Sequence, residues 1–351
     1  MNLLTELTNL NDRLNDFYVE HNTHEVITAP KLVTLTTTLR CNYRCWMCYQ
    51  KSYSGDMDWR IVERLAHVLP KVKTLQLFGG EPLLYPRITD LFALASDNEC
   101  EIQVITNGSL LTPDKRDLIL ANKVSQVKIS MEASTQPTYK AIRGGDLEQV
   151  LGNIQALAEE RSAPGASKPE IQINFVAMEQ NIRELPALVE RAAAIGVDSL
   201  LVLYMNCGHR EDLAKQSLFL HQELSDRYMS QALEAGKQCG ITVTTPGFFS
   251  ASMPDTEMDR TCHSPWKNCL IDVKGTVSFC CGSAGPLGNI LETEFDELWH
   301  NDKITMFRRL VNKDEQPKCC RTCRVKGRNH RDPLFHIRDP KLVEKLVGPG
   351  E

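Results

Sequence analysis

Between Lys31 and about Pro246 the chain alternates short apolar runs with longer stretches of helical periodicity. The short runs are rich in aliphatic and β-branched residues, which favours strands, and the intervening stretches repeat apolar residues every three or four positions, which favours helices. This alternation predicts a parallel α/β sheet or barrel, with strands covered on both faces. The predicted strands are 32–38, 74–80, 102–108, 126–132, 171–178 and 200–206, and the predicted helices are 58–69, 87–97, 113–121, 135–160, 181–195 and 219–239.

The flanks of this repeat have other patterns. Residues 1–30 begin with an amphipathic helical pattern, which we expect to pack onto the main domain. Residues 247–330 contain a linker, short helices and a tight hairpin, and their seven cysteines suggest a metal staple for a small polar domain. The charged residues 331–351 are expected to form a peripheral tail. The leucines on one side of the first helix are Leu3, Leu4, Leu7, Leu10 and Leu14.

Composition adds one anomaly to an ordinary globular chain. The 351 residues carry a formal net charge of −5, which gives no sign of a nucleic-acid binder. No run approaches the roughly 18 apolar residues of a membrane helix. The first residues do not resemble a secretory signal, so we expect a cytoplasmic protein without a membrane partner. In that compartment thirteen cysteines indicate metal binding or catalysis rather than disulfides.

Cys41, Cys45 and Cys48 form a C-x3-C-x2-C array directly after the first predicted strand. Thiolates are the usual ligands of iron–sulfur clusters, and three ligands leave the fourth iron of a cubane open. A structural zinc site would need a fourth ligand close by, and the nearest histidines stand at no standard spacing. The spacing therefore favours an iron–sulfur cluster over zinc.

This array, at the end of the first strand of a six-fold strand–helix pattern, resembles the signature of the radical S-adenosylmethionine (SAM) superfamily over residues 31–246. The resemblance implies a partial (β/α)6 barrel and a [4Fe–4S] cluster whose open iron binds SAM. It implies reductive cleavage of SAM to a 5′-deoxyadenosyl radical, with a reductant such as flavodoxin or ferredoxin. One position departs from the pattern, because Met47 stands where an aromatic residue is commoner before the last cysteine.

Later strand ends resemble the SAM-binding motifs of the same superfamily. LFGGEP contributes Gly79, Gly80 and Glu81, and the resemblance implies that this segment holds the methionyl ammonium. ITNG, SMEA and TYKAIRGG resemble the motifs of the third strand, the fourth strand and the fourth helix. A core or capping role stays open for each single residue. The implied contacts to the rest of SAM are Asn107, Ser130, Glu132, Arg143, Asn174 and Tyr204.

The C-terminal cysteines resemble the SPASM/Twitch extension of radical SAM proteins, through a Cys-x3-Trp start, a hairpin ending in cysteine, LGNI and a closing C-x2-C. Their spacing resembles the one-cluster Twitch domain of the aminocyclitol dehydrogenase of butirosin-type antibiotic pathways. The resemblance therefore implies one auxiliary [4Fe–4S] cluster, with a four-cysteine zinc ribbon as the alternative. The implied ligands are Cys262, Cys280, Cys320 and Cys323, with Cys269, Cys281 and Cys319 as alternates.

Cys207 follows the sixth predicted strand and is a candidate hydrogen-atom donor, although a lone cysteine is more often a small buried hydrophobe. His209 and Arg210 beside it are candidates to orient or deprotonate a polar substrate.

The sequence thus predicts a radical SAM oxidoreductase that abstracts hydrogen from a small polar substrate such as a sugar, aminocyclitol or amino acid. Oxidation through the auxiliary cluster or epimerisation would follow. Two alternatives stay open: a maturase of a ribosomal peptide, and a zinc-stabilised binding module without catalysis.

Overall fold

The computed structural model describes residues 2–161, 168–250, 261–282, 284–321, 323 and 330–347. Its strands form one sheet and are β1 (Leu32–Thr38), β2 (Thr74–Gly79), β3 (Glu101–Thr106), β4 (Gln126–Ser130), β5 (Glu170–Ala177), β6 (Ser199–Tyr204), β7 (Thr242–Thr244), β8 (Asn268–Ile271), β9 (Thr276–Ser278) and β10 (Gly288–Asn289). The order across the sheet is β10-β9-β8-β1-β2-β3-β4-β5-β6-β7. All six predicted strands are confirmed, and β7 is a further parallel strand that the sequence pattern did not reveal.

Helices follow the strands as expected, and none of the described helices is long and apolar enough to cross a membrane. The predicted helix 135–160 is two helices, because Gly144 ends the first with a left-handed φ of 78°. The α-helices are α1 (Leu3–Glu20), α2 (Trp59–Leu65), α3 (Ile88–Asp97), α4 (Pro113–Ala121), α5 (Gln136–Arg143), α6 (Leu147–Arg161), α7 (Leu185–Ala194), α8 (Glu211–Ala214), α9 (Gln222–Cys239), α10 (Ser264–Lys267), α11 (Phe295–Trp299), α12 (Asp302–Leu310), α13 (Lys318–Arg321), α14 (Pro333–His336) and α15 (Pro340–Val347).

The parallel strands β1 to β7 form a partial barrel, and the cysteine-rich region extends its edge. The predicted hairpin is confirmed as β8 and β9, which pair antiparallel. β8 also pairs in parallel with β1, with Val33 opposite Cys269. The C-terminal region is therefore hydrogen-bonded to the barrel strand that leads into the first cysteine array. The middle of the expected linker, 251–260, lies outside the described residues.

Strand burial corrects one expectation. The strands are not covered on both faces: β1 and β5 bury every second residue, and the alternate positions are only half-buried. The buried positions pack under the helices, in one core cluster. The half-buried positions face the inside of the barrel, where curvature of the sheet leaves no room for a second helical layer. This inner face is called the lumen below.

α1 is confirmed as a helix, but the side that packs against the barrel is not the leucine side that was expected. Its buried positions are mostly polar, whereas Leu3, Leu10 and Phe17 are 77%, 47% and 50% exposed. Asn11 explains this orientation, because its side-chain amide donates to Ala29 O and Lys71 O at 3.1 and 3.0 Å. Hydrogen bonds to loop carbonyls thus decide which side of α1 faces the barrel.

The C-terminal residues up to 347 pack against the barrel, so they do not form the peripheral tail that the sequence predicted. His336 and Ile337 are buried, and Ile337 lies in an apolar cluster with Met205 and Cys207. The backbone of the segment is held as well, since Cys207 N donates to His336 O at 2.9 Å. Alternating charged and apolar residues concealed this contact, because α15 turns only its apolar side to the cluster.

Candidate active site

The first cysteine array forms a loop at the carboxyl end of β1, where the ends of parallel strands gather functional residues. A turn closes between Cys48 N and Cys45 O at 3.0 Å. The amide of Tyr43 lies 3.4 Å from Cys41 Sγ, and the amide of Gln50 lies 3.4 Å from Cys48 Sγ. Amides directed at sulfur stabilise the thiolate form that binds metal.

The three thiols of this loop lie in one electrostatic neighbourhood. Burial raises the pKa of Cys41, and the charges of Glu81, Cys45 and Cys48 raise it further. Within the described part of the chain, no three His, Cys, Asp or Glu side chains converge as the ligands of a single ion. Three thiols on one short loop are the donor set that an iron–sulfur cluster uses.

The end of β2 holds the start of the loop. Gly80 N donates to Thr38 O, and Glu81 N donates to Arg40 O, both at 2.8 Å. A Cβ atom on Gly79 would lie 2.4 Å from Thr38 O, and one on Gly80 would lie 2.3 Å from Arg40 O. The backbone at these glycines therefore approaches the chain's own backbone closely, and this contact fixes β2 against the cysteine loop.

Glu81 joins the ends of β2 and β3. Its fully buried carboxylate accepts hydrogen bonds from Thr106 Oγ1 and Asn107 N at 2.8 Å and from Leu83 N at 3.2 Å. Burial raises the pKa of Glu81 to about 6, although these donors oppose the rise. Its contact with a methionyl ammonium stays a prediction.

Asn107 extends this network into the cysteine loop. Its Nδ2 donates to Asn42 Oδ1 at 2.9 Å, and its Oδ1 accepts from Ser109 N and Oγ at 2.9 and 2.6 Å. Asn42 Nδ2 donates in turn to Ser109 Oγ at 2.8 Å. Asn42 and Ser109 were not predicted from the sequence, and only the position of Asn42 between two of the cysteines hinted at a role.

Arg143 reaches the cysteine loop from the last turn of α5. Its Nη1 donates to Cys45 Sγ at 3.3 Å, and its Nε lies 2.5 Å from Glu132 Oε2. All of these groups except Cys45 are almost fully buried. Burial alone would lower the pKa of Arg143, but the charges of Glu132 and Cys45 raise it, so the guanidinium stays charged. Glu132 thus neutralises Arg143, so two residues that were separately implied as SAM contacts lie together beside a predicted cluster ligand.

The remaining predicted SAM contacts divide into two groups. Ser130, the last residue of β4, is the direct register neighbour of Asn174 in the middle of β5, and both side chains are half-buried on the lumen side. Tyr204 points elsewhere: its hydroxyl donates to Gly247 O at 3.0 Å, and its ring meets His336 edge-on at 4.9 Å between centroids. The structure therefore brings Ser130 and Asn174 together and gives Tyr204 contacts within the protein.

A row of polar side chains crosses the lumen below these strand ends, and we call it the lumen row. Gln76 Nε2 and Lys128 Nζ both donate to Gln103 Oε1, at 3.1 and 2.9 Å. Gln126 Nε2 donates to Gln172 Oε1 at 3.0 Å. This row was not predicted from the sequence, although polar residues at every second strand position were its signal. The lumen row comprises Thr34, Gln76, Gln103, Gln126, Lys128, Gln172 and Asn174.

Near its mouth the lumen becomes apolar. Phe78 on β2 and Leu203 on β6 share the inward face of their strands, and each is 42% exposed. Together these two side chains give the mouth of the lumen an apolar lining. The lumen thus offers a polar floor and apolar walls, an arrangement typical of small-molecule sites.

Cys207 lies beside this mouth but does not open into it. Its side chain is fully buried, and its Sγ lies 3.5 Å from Leu213 O. Trp46 and Met47 of the cysteine loop pack against the same cluster. Arg210 contacts that loop as well, because its Nη1 donates to Trp46 O at 2.8 Å, whereas His209 is largely exposed beside Asp339. Burial favours a packing role for Cys207.

The four implied auxiliary ligands come together in the C-terminal region. Burial raises the pKa of Cys280 to about 11, and the charges of Cys323 and Cys262 contribute. Burial also raises the pKa of Cys320 to about 12, again with contributions from Cys262 and Cys323. Cys262 and Cys320 also pack against one apolar cluster. The four cysteines therefore lie in one region of the chain, and their role as ligands stays a prediction.

The three alternate ligands differ in where they lie relative to the four implied ligands. Cys319 Sγ lies 4.0 Å from Cys320 Sγ, and the exposed Cys281 acts on the pKa of Cys280, so both border the group. Cys269 is fully buried on β8, and burial alone raises its pKa. Its place in the barrel core does not support Cys269 as an alternate ligand.

Two family models match this chain, one over the barrel and one over the cysteine-rich C-terminal region. Residues 35–192 match the Radical SAM superfamily, and residues 262–324 match the SPASM iron-sulfur cluster-binding domain. The chain is a radical SAM protein with a C-terminal SPASM domain. The first match includes the cysteine loop, Glu81 and Arg143, and the second includes the four C-terminal cysteines.

Individual relatives agree with this assignment. The AdoMet-dependent heme synthase of Methanosarcina barkeri is 26% identical over 329 residues, which cover 85% of this chain and 89% of the relative. The protein that modifies the cofactor of tungsten-containing aldehyde ferredoxin oxidoreductase in Pyrococcus furiosus is 30% identical over 180 residues, or 49% of this chain and 51% of the relative. Streptococcus suis SuiB bound to SAM shares the fold, with a TM-score of 0.62 at 16% identity over 86% of this chain and 70% of SuiB.

The family implies a SAM-binding [4Fe–4S] cluster and auxiliary iron–sulfur clusters. Both sets of cysteines fit these groups in donor chemistry, because each gathers thiols and the first loop leaves one iron for SAM. The SPASM match favours iron–sulfur over the zinc alternative in the C-terminal region. The individual ligand assignments stay predictions.

Proposed function

We propose that this protein binds a small polar substrate in the lumen, removes a hydrogen atom from it and oxidises it. The lumen row carries this proposal, because its amides and ammonium match the hydroxyl, amine and carboxylate groups of a sugar, aminocyclitol or amino acid. When bound, the cluster with SAM supplies a 5′-deoxyadenosyl radical, and the auxiliary cluster supplies a one-electron acceptor. The residues of this chain hold the reactants and exclude water around them.

Lys128 gives the lumen row a preference for an anionic substrate. Burial lowers the pKa of Lys128, and the charge of Glu170 opposes this only in part. Lys128 Nζ donates a hydrogen bond to Gln103 Oε1, and this neutral amide oxygen does not neutralise the charge of the ammonium. A partly desolvated ammonium gains from an anionic partner. We therefore expect a substrate with a carboxylate or phosphate group.

Oxidation is favoured over epimerisation. Inversion at carbon would need a hydrogen donor on the face opposite the abstraction, and Cys207 was the candidate. Its thiol is fully buried and directed at Leu213 O, away from the lumen row. After hydrogen abstraction, loss of one electron and one proton would convert an alcohol carbon to a carbonyl.

A tetrapyrrole is the second candidate substrate. Two AdoMet-dependent heme synthases, from Methanosarcina barkeri and Nitratidesulfovibrio vulgaris, match 85% and 84% of this chain at 26% and 24% identity. Heme and its precursors carry carboxylates, which Lys128 would also suit. The ribosomal-peptide alternative draws on SuiB bound to its precursor peptide SuiA, a likeness at 16% identity that extends to the fold alone.

Anaerobic turnover tests the proposal. The reconstituted protein, given SAM and dithionite, should release 5′-deoxyadenosine, and Cys41→Ala should abolish this release. Cys239→Ala is the matched control, since Cys239 is an exposed cysteine at the end of α9. Deuterated aminocyclitols, amino acids and a porphyrin would then be compared for deuterium transfer into 5′-deoxyadenosine. Absence of iron and of SAM cleavage would contradict the enzyme assignment, and transfer from a peptide alone would replace the small-substrate proposal.

A further inference from the structure

α1 presents an apolar stripe to the solvent. The stripe consists of Leu3, Leu7, Leu10, Leu14 and Phe17. Leu7 and Leu14 are half-buried, while the other three are about half exposed or more. An apolar row this long on one exposed helix is characteristic of a contact surface.

Strong polar anchors fix α1 so that the stripe cannot turn inward. Thr8 donates to Pro70 O at 3.1 Å, and Asn15 donates to Ala29 O at 2.9 Å and accepts from Thr28 Oγ1 at 2.6 Å. Asp12 adds an ion pair with Lys31 at 2.9 Å. Rotation of α1 toward its leucines would break all of these contacts, so the outward stripe is a property of the folded protein.

The spacing of the stripe identifies the kind of partner. Its residues alternate at four- and three-residue intervals, which is the heptad pattern of a coiled-coil seam. A helix that only covers a globular surface shows a wider apolar face. The stripe therefore fits one other helix with the same repeat.

Charges beside the stripe select a second copy of α1, running antiparallel. When Leu7 packs against Leu10 of the second copy, and Leu3 against its Leu14, Glu6 of each copy faces Arg13 of the other. A shift of one heptad would set Arg13 against Arg13 and Glu6 against Glu20. A parallel pair would oppose Arg13 to the neutral Tyr18. The antiparallel arrangement with two Glu6–Arg13 pairs is thus the complementary one.

The barrel leaves room for this pairing. The buried side of α1 is centred about 120° around the helix from the stripe, given 100° per residue. In an antiparallel pair both barrels then lie on the same side of the two helices and lean away from each other. We propose that two copies of this chain associate through antiparallel α1 helices, with Leu3, Leu7, Leu10 and Leu14 forming the seam.

Sedimentation velocity of the reconstituted full-length protein tests this inference at micromolar concentration. The wild-type protein should be a dimer, and Leu10→Glu should be a monomer with an unchanged circular dichroism spectrum, since Leu10 is exposed in the single chain. Leu334→Glu is the matched control, because Leu334 is 40% exposed on α14, and it should remain a dimer. A monomeric wild-type protein, or a dimeric Leu10→Glu variant, would overturn the proposal.

A charge exchange tests the direction of the helices. Glu6→Arg and Arg13→Glu should each weaken the dimer by roughly two- to thirtyfold, because each breaks two rim ion pairs. The double variant Glu6→Arg/Arg13→Glu should restore wild-type affinity, since it re-forms both pairs with reversed polarity. A double variant as weak as the single ones would refute the antiparallel register. None of these outcomes depends on the proposed enzymatic reaction.

Discussion

The side-chain amide of Asn107 donates to Asn42 Oδ1 at 2.9 Å, which joins the end of β3 to the loop between Cys41 and Cys45. Asn42 also donates to Ser109, so one small amide connects two segments. The cysteine loop is therefore held from outside by polar contacts, and its shape does not depend on its own turn alone.

We expect Asn42→Ala to lower the stability of the cluster-free protein by about 1–3 kcal/mol, because two part-buried hydrogen bonds are lost. Iron retention after gel filtration should fall as well, since the loop can no longer be held in one shape. Thermal unfolding and iron analysis measure the two effects. Gln155→Ala, which removes an exposed hydrogen bond on α6, should change neither. Wild-type iron content and melting in Asn42→Ala would contradict this role.

Replacement of Arg143 should reveal the cost of an unpaired buried charge. Arg143→Met leaves Glu132 without its partner and should destabilise the protein by about 3–5 kcal/mol. The double variant Arg143→Met/Glu132→Gln should recover part of this loss, because no buried charge remains. Denaturant unfolding of the single and double variants completes the comparison. Equal instability of the two would show that packing, and not charge, dominates at this position.

Lys128→Met should separate substrate binding from SAM cleavage. Release of 5′-deoxyadenosine without substrate should stay near the wild-type rate, because Lys128 lies in the lumen row and not at the cysteine loop. With an anionic substrate the KM should rise by roughly tenfold or more, because the variant loses a charge-assisted hydrogen bond to the substrate. Lys237→Met, an exposed lysine in the last turn of α9, is the control. An unchanged KM would remove Lys128 from substrate recognition.

The auxiliary ligands can be distinguished from Cys269 by pairing two measurements. Cys280→Ala should remove about half of the bound iron, on the expectation of two four-iron clusters, while uncoupled SAM cleavage persists. Cys269→Ser should keep all the iron but lower stability by about 1–3 kcal/mol, because it places a hydroxyl in the barrel core. Iron loss in Cys269→Ser without unfolding would make Cys269 a ligand.

Ile337 tests the contact between the C-terminal segment and the barrel. Ile337→Ala should cost about 2–5 kcal/mol, as for other fully buried isoleucines. It should also expose Cys207 to alkylation of the cluster-free protein, because His336 and Ile337 cover that residue. Mass spectrometry would compare Cys207 with the exposed Cys239, which should react quickly in both proteins. Alkylation of Cys207 at the Cys239 rate in the wild-type protein would show that the segment does not cover it.

Local patterns predicted most of the barrel and the order of its motifs. Six strands, their helices and the C-terminal hairpin follow from short-range periodicity, which depends only on neighbouring residues. The sequence pattern did not predict β7, because this strand has only three residues, all exposed or half-exposed, and contains no run of apolar residues. The break after Arg143 escaped because two glycines inside a helical pattern can be tolerated or can end the helix, and tertiary packing decides between these outcomes.

Long-range contacts explain the errors. The leucines of α1 predicted the side that packs, but hydrogen bonds from Asn11 and Asn15 to distant carbonyls hold a different, mostly polar side against the barrel. The last residues looked peripheral because charged residues interrupt their apolar positions, yet Ile337 meets side chains more than a hundred positions away. No window of sequence contains both partners of such contacts.

By itself, the sequence determined the chemistry: the spacing of Cys41, Cys45 and Cys48 and the order of the motifs after them identify the cluster and its family. Ligand spacing on one loop is a local property, so it can be read without a fold. Only the tertiary structure decided which residues support that chemistry, from Asn42 and Ser109 around the loop to Lys128 in the lumen. Those positions become neighbours only when strands that are distant in sequence pair side by side, because pairing brings alternate residues and the loops at the strand ends together.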